Sequence, residues 1–218
     1  MKYENAKDML PPELLKQVQK YAAGKLLYIP QKEEPKAWGS VSGSRQKLLK
    51  RNQRIYNEYA LGKGIRELAE EYFLSIDSIK KIVYGKKQEC VPFDATLACA
   101  ISYSEMGLDE EWIRTYFVTR FGEGSFPEQW LCDGLVKIPL RLIDEVKDTL
   151  GCGCDNPLEP MVLVFENGKF VFQGKESMLE QLKENKVNSH HAFIFVPDVA
   201  EHGFYLNQYS KQFHQAKL

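Results

Sequence analysis

Cys152 and Cys154, one glycine apart and followed by Asp155, and the adjacent pair His190–His191 are the residues whose types suit a soft metal ion. Thiolate and imidazole are preferred donors for zinc. The spacing matches no common zinc finger, and a Cys-x-Cys in a glycine-rich loop after a helix is more often a turn containing small apolar residues. The four are metal-ligand candidates only, and no cofactor is expected. The five cysteines, Cys90, Cys99, Cys132, Cys152 and Cys154, are odd in number and widely spread, which makes a poor disulfide framework. A catalytic cysteine needs a histidine beside it in space, and no surrounding signature points to one, so enzymatic function is not expected.

A second chemistry is polyanion binding. The 218-residue chain has a net charge of -1, but the charge is unevenly divided. From Arg45 to Lys87, eleven basic residues face five acidic ones, a balance of +6, while the remaining eighteen basic and twenty-five acidic residues give -7. Such asymmetry points to a nucleic-acid partner or, on a blander reading, to a solvated helical surface. No stretch reaches the roughly 18 apolar residues of a membrane span, and Met1-Lys2-Tyr3-Glu4 opens no secretory signal. A cytoplasmic protein with no membrane partner is expected.

The elements that position the basic residues begin at Pro11-Pro12, which suits a helix start; Leu14, Leu15, Val18, Tyr21 and Ala22 follow at helical period and Gly24 is the stop. Leu26-Leu27-Tyr28-Ile29, ended by Pro30, reads as an edge strand, and the same strand from a second copy is a natural partner. Residues 31–44 have linker composition, with Trp38 as an anchor. A helix near Leu48 to Leu61 comes next. Two shorter ones span about Ile65 to Tyr72 and Ile76 to Tyr84, and Gly85 closes the second.

The small, apolar, capping and basic positions from Ile65 to Tyr84 agree with a helix-turn-helix. Ala69 supplies the small residue where two crossed helices meet. Leu68, Tyr72, Leu74, Ile79 and Ile82 close the core between them, and Ser75 caps the second helix. This leaves Ile76, Asp77, Ser78, Lys80 and Lys81 outside, where a recognition helix meets base edges. Ser75 at the cap, Arg45, Lys63, Arg66, Lys86 and Lys87 are the further candidate DNA contacts. One position departs from the pattern: Phe73 stands where glycine is usual, and a looser turn is expected, since a bulky residue at positive φ is strained. The alternative is a helical hairpin in a protein-binding adaptor.

On Leu10-Pro-Pro-Glu-Leu14, Tyr28-Ile29-Pro30, Gly43-Ser44-Arg45, Arg51 to Gly62, Glu67-Leu68-Ala69, Leu74-Ser75 and Ser78-Ile79, the chain from Met1 to about Gln88 resembles the Mor transcription-activator family. The resemblance implies a homodimer built by the N-terminal helix and strand, a helix-turn-helix from each copy on double-stranded DNA, and contacts to RNA polymerase. It does not extend to the rest of the chain.

A second domain is expected over residues 93–218, after a first over 1–88, with the break between Lys87 and Phe93 near Pro92. It opens with a helical segment over Ala95 to Tyr103 and a helix from about Asp109, on which Trp112, Ile113, Tyr116 and Phe117 form a buried stripe. With Phe126 and Trp130 this stripe is either plain core or the wall of a pocket for a small-molecule effector. A helix over about Gln129 to Leu150, kinked at Pro139, is expected next. Asn167-Gly168 then joins strands Met161 to Glu166 and Lys169 to Gln173 in a hairpin. Ser177 to Glu180 reads as a capping box, and Ala192 to Val196 as a third strand. The fold class is α+β: a mostly helical N-terminal part, then helices and a small β-β-α-β unit that senses a signal or binds a partner.

Overall fold

The computed structural model describes residues 5–25, 27, 43–85, 90–151, 154–210 and 213. They belong to two compact units, residues 1–41 and 42–218. In the first, α1 (Ala6–Met9) is capped by Asn5, whose side chain accepts from the Lys7 N–H. Next, α2 (Pro12–Ala22) opens on the expected prolines, and Gly24 follows it at φ 71°. None of the described residues of this unit is buried. Leu10, Leu15, Val18, Ala22 and Leu27 instead line an open hollow of about 790 Å³. The expected strand lies outside the described residues at Leu26, Tyr28 and Ile29, as does Trp38; Leu27 is 56 % exposed.

The second unit starts with α3 (Ser44–Ala60), α4 (Ile65–Glu71) and α5 (Ile76–Tyr84). Their core is small: Ile55, Leu68, Ile79 and Val83 are buried, and Tyr59, Ile65, Ala69, Tyr72, Leu74 and Ile82 pack around them. Two further helices follow, α6 (Leu97–Glu105), capped by the Thr96 hydroxyl, and α7 (Asp109–Phe121), whose first turn carries Asp109, Glu110 and Glu111. Acidic residues suit that end of a helix. The structure does not divide at the break expected between Lys87 and Phe93. The Val91 N–H donates to Gln53 Oε1 at 2.9 Å, which ties the segment after α5 back to α3.

The fold is α+β, with strands β1 (Leu131–Pro139), β2 (Ile143–Lys147), β3 (Met161–Glu166), β4 (Lys169–Gln173) and β5 (Ser189–Val196) in one mixed sheet of order β1-β5-β3-β4-β2. The expected β-β-α-β unit is β3, β4, α8 (Glu176–Glu184) and β5. Its hairpin turns on Asn167 and Gly168 at φ 53° and 74°. The kinked helix expected over 129–150 is instead β1 and β2, joined by a single 3-10 turn at Leu140–Leu142. In this stretch Val136, Ile138 and Leu140 are buried and Lys137 is exposed, an alternation of two. Pro139 is tolerated because it ends an edge strand. The capping box is likewise corrected: α8 starts at Glu176 with Lys175 at its cap position and no side-chain capping bond, so Ser177 lies inside the helix.

The stripe on α7 is core. Trp112 stacks on Phe193 of β5, centroids 5.3 Å apart and planes within 3°, and on Tyr116 at 5.2 Å. Trp112 and Phe193 are both at most 1 % exposed. The chain closes with α9 (Val199–Tyr205), which sets Tyr205 against Phe165 and Phe170. Among the described residues no helix is long and apolar enough to cross a membrane.

Candidate nucleic-acid interface

The pair α4–α5 is built by the residues that the sequence pattern singles out. Leu68 from α4 and Ile79 from α5 are completely buried against Ile55 of α3, so the two short helices are held by a third. Neither would be stable alone at seven and nine residues. The backbone turns between them over Tyr72 to Ser75, with the Leu74 N–H donating to the Ala69 carbonyl at 2.9 Å. Phe73 takes φ 52° and is 94 % exposed. The turn is therefore the tight left-handed one, not the looser one expected, at a strain cost of roughly 1–2 kcal/mol for a residue with a Cβ. Ser75 then caps α5: its Oγ accepts from the Ser78 N–H at 3.1 Å.

That geometry decides which side chains face outward. On α5, Asp77, Lys80 and Lys81 are exposed, and Ile76 is 42 % exposed. Ser78 is half-buried, its hydroxyl 2.9 Å from that of Ser75. Ser75 itself is at the surface but spends its oxygen on the cap. Arg66 on α4 and Arg45 in the first turn of α3 are exposed. Lys63 is the candidate contact that the structure uses otherwise. Its ammonium pairs with Glu58 at 3.2 Å and with Glu71. Partial burial opposes its charge, but the two carboxylates outweigh this and hold its pKa above the usual lysine value. Lys86 and Lys87 lie outside the described residues.

Behind the helix pair is a feature that the pattern of apolar residues does not reveal. The face of α3 bearing Gln53, Arg54 and Asn57 packs on α6 and α7 through polar groups. Gln53 Nε2 donates to Asn57 Oδ1 at 2.9 Å and lies 2.7 Å from the Val91 carbonyl. Asn57 Nδ2 donates to Thr115 Oγ1 at 2.8 Å. The Arg54 guanidinium clasps Glu111 through Nε and Nη2, at 2.8 and 2.9 Å. Glu111 raises the already high Arg54 pKa further against the opposing effect of burial. Tyr103, whose hydroxyl lies 2.7 Å from the Val91 carbonyl, is pushed up by burial. Gln53 and Asn57 are four residues apart on one helical face, and this i, i+4 polar pair in an otherwise amphipathic helix is the sequence signal of the seam.

Two clefts flank α7 in this unit. One of about 690 Å³ is lined by Glu58, Leu61, Lys63 and Glu67 on one side and by Val118 and Phe126 on the other. The second, about 440 Å³, holds Lys50, Arg114, Glu128, Trp130 and Asp133. Arg114 sits over the Phe126 ring at 4.3 Å and pairs with Glu128, whose pKa it lowers. Thus Phe126 and Trp130 reach open space, whereas Trp112, Tyr116 and Phe117 do not.

The described members of the metal-ligand set have other partners. Cys154 is buried with its Sγ 3.6 Å from the Tyr116 hydroxyl, and His190 Nε2 lies 3.0 Å from the Glu159 carbonyl. His191 is half-buried on β5, and Cys152 lies outside the described residues. Among the described residues no three His, Cys, Asp or Glu side chains converge for a metal. Cys132 is half-buried, and desolvation pushes its thiol up to about 12, which leaves it protonated and unreactive at neutral pH.

The chain is similar to the uncharacterized protein YraL of Bacillus subtilis (strain 168), with 45 % identity over 87 residues, which is 39 % of this chain and the whole of that protein. No family model and no solved structure matches.

Proposed function

This chain belongs to the same family as the uncharacterized Bacillus subtilis protein YraL, and we propose that it is a cytoplasmic, sequence-specific regulator of transcription that binds double-stranded DNA through α4 and α5. The observation that carries the reading is the form of α5. Its apolar side, Ile79 and Val83, is locked into a three-helix core, its start is capped by Ser75, and its outer side presents Ile76, Asp77, Lys80 and Lys81. A helix so mounted offers the side chains near its start to base edges while neighbouring lysines neutralise phosphates. The net balance of +6 between Arg45 and Lys87 supports the same partner.

The active species is a homodimer. In support, α2 is amphipathic and its Leu15, Val18 and Ala22 are only half-buried, which suits an apolar side that meets a second copy. The likeness to Mor activators adds RNA polymerase as a second partner. Residues from Val91 onward then form the regulatory part. Their coupling to α3 through Gln53, Arg54 and Asn57, together with the open clefts beside α7, supports control by a small-molecule effector.

Selection of bound fragments from random DNA at moderate salt tests this, comparing the intact protein with Lys81→Ala. A two-fold-related motif that weakens or changes in the variant is the expected result. No enrichment at any salt concentration, by the protein alone, rejects direct DNA recognition and favours the adaptor.

A further inference from the structure

We propose that Phe73 and Ile76 form an apolar contact at the leading end of α5 that reads the 5-methyl group of thymine. This rests on the DNA-binding reading above and goes beyond it, because it names side chains and the chemical group they recognise. Phe73 holds φ 52°, a conformation that glycine or asparagine adopts at lower cost, and its ring is 94 % exposed. The fold thus accepts backbone strain for a side chain that it leaves almost wholly in solvent. An aromatic kept under such terms acts on something outside the fold.

The neighbours narrow what that is. Of the four residues from Phe73 to Ile76, Leu74 turns into the helix-pair core and Ser75 spends its hydroxyl on the Ser78 N–H. Phe73 and Ile76, the latter 42 % exposed, are the two that present apolar surface outward. They flank the cap of the helix that carries Lys80 and Lys81. Glu70 and Asp77, both exposed, lie three residues before and four after Phe73, and they disfavour setting its ring against a phosphate. Base edges remain. In the major groove the thymine methyl is the one apolar group displayed, and aromatic or aliphatic side chains contact it.

The test pairs a side chain with a methyl group. After the preferred site has been selected, each thymine in it is replaced by uracil, and affinities are measured for the intact protein, Phe73→Gly and Ile76→Ala. For the intact protein, loss of the contacted methyl is expected to weaken binding about fourfold, the value of one buried CH₂. In Phe73→Gly the thymine and uracil duplexes should bind alike, at the weaker affinity, while the melting temperature stays level or rises by about 2 °C as strain is relieved. Phe73→Asn, which also tolerates the turn, should repeat the result. An unchanged thymine-to-uracil ratio in all three variants overturns the inference while leaving DNA binding intact. If that ratio is unchanged and sedimentation shows an altered oligomeric state, Phe73 belongs to a contact between copies and the inference is again overturned. Failure of the intact protein to bind any selected site removes the DNA reading itself, and this inference with it.

Discussion

The side-chain amide of Asn57 on α3 donates to the hydroxyl of Thr115 on α7 at 2.8 Å, and both residues are buried. The same helix places Ile55 in the core of the α4–α5 pair, so one helix serves the proposed DNA-reading element on one side and the larger sheet-containing part on another. Polar seams of this kind specify one arrangement because each buried group demands its partner.

Thr115→Val should therefore destabilise more than its size suggests. The valine is close in shape but strands the Asn57 N–H group, at a cost of about 1–3 kcal/mol. Calorimetry should show the melting temperature of the second unit falling by several degrees.

The Arg54–Glu111 pair gives a sharper case, because Glu111 is 2 % exposed. Arg54→Met leaves a buried carboxylate without its partner and should cost about 3–5 kcal/mol. The double variant Arg54→Met/Glu111→Met should regain a large part of this. A denaturant-melt cycle over the four proteins measures the coupling, and additive losses would contradict the pairing.

Two classes of α5-region variant should separate on DNA. Lys86→Ala and Lys87→Ala are expected to weaken binding to all sequences alike and to lower the salt slope by about 1 each. Lys81→Ala and Ser78→Ala should shift sequence preference. Ser78→Ala should do so without loss of helix, since the cap uses the Ser78 backbone N–H. Filter binding at several salt concentrations on the selected and scrambled sites distinguishes the classes.

Acid should weaken the fold through its paired carboxylates. Bonds from Lys147 and Lys169 hold Glu145 at about 2, and Glu128 and Asp155 are lowered by Arg114 and Lys175. A carboxylate with a depressed folded pKa lends stability above its ordinary range, and this is lost as pH falls through the folded value. Melting temperature should hold near pH 6 and decline from about pH 4 toward pH 2, with a slightly shallower decline in Glu145→Gln because the pairs are exposed.

The helix pair was legible in the sequence because its signals are local. Ala69, Ser75 and the spacing of Leu68, Leu74 and Ile79 express contacts made within about fifteen residues, and Asn167-Gly168 needs only its own backbone freedom to turn a hairpin. The stretch from Leu131 to Lys147 is not legible in this way because its pairings lie far away. Leu135, Val136 and Ile138 form a strand because they pair with Phe193, Ala192 and His190 of β5, and period alone leaves short apolar runs ambiguous. Lys63 is a candidate DNA contact by sequence, and the fold brings Glu58 and Glu71 to it. The polar seam of Gln53, Arg54 and Asn57 needed Val91, Glu111 and Thr115, which lie some forty to sixty residues away, to meet it. Elements whose energetics close within a turn or two of chain can be read without the fold. The tertiary structure alone decided which charges are spent on one another and which remain to face a partner, because an ion pair or a buried hydrogen bond is a property of two positions in space.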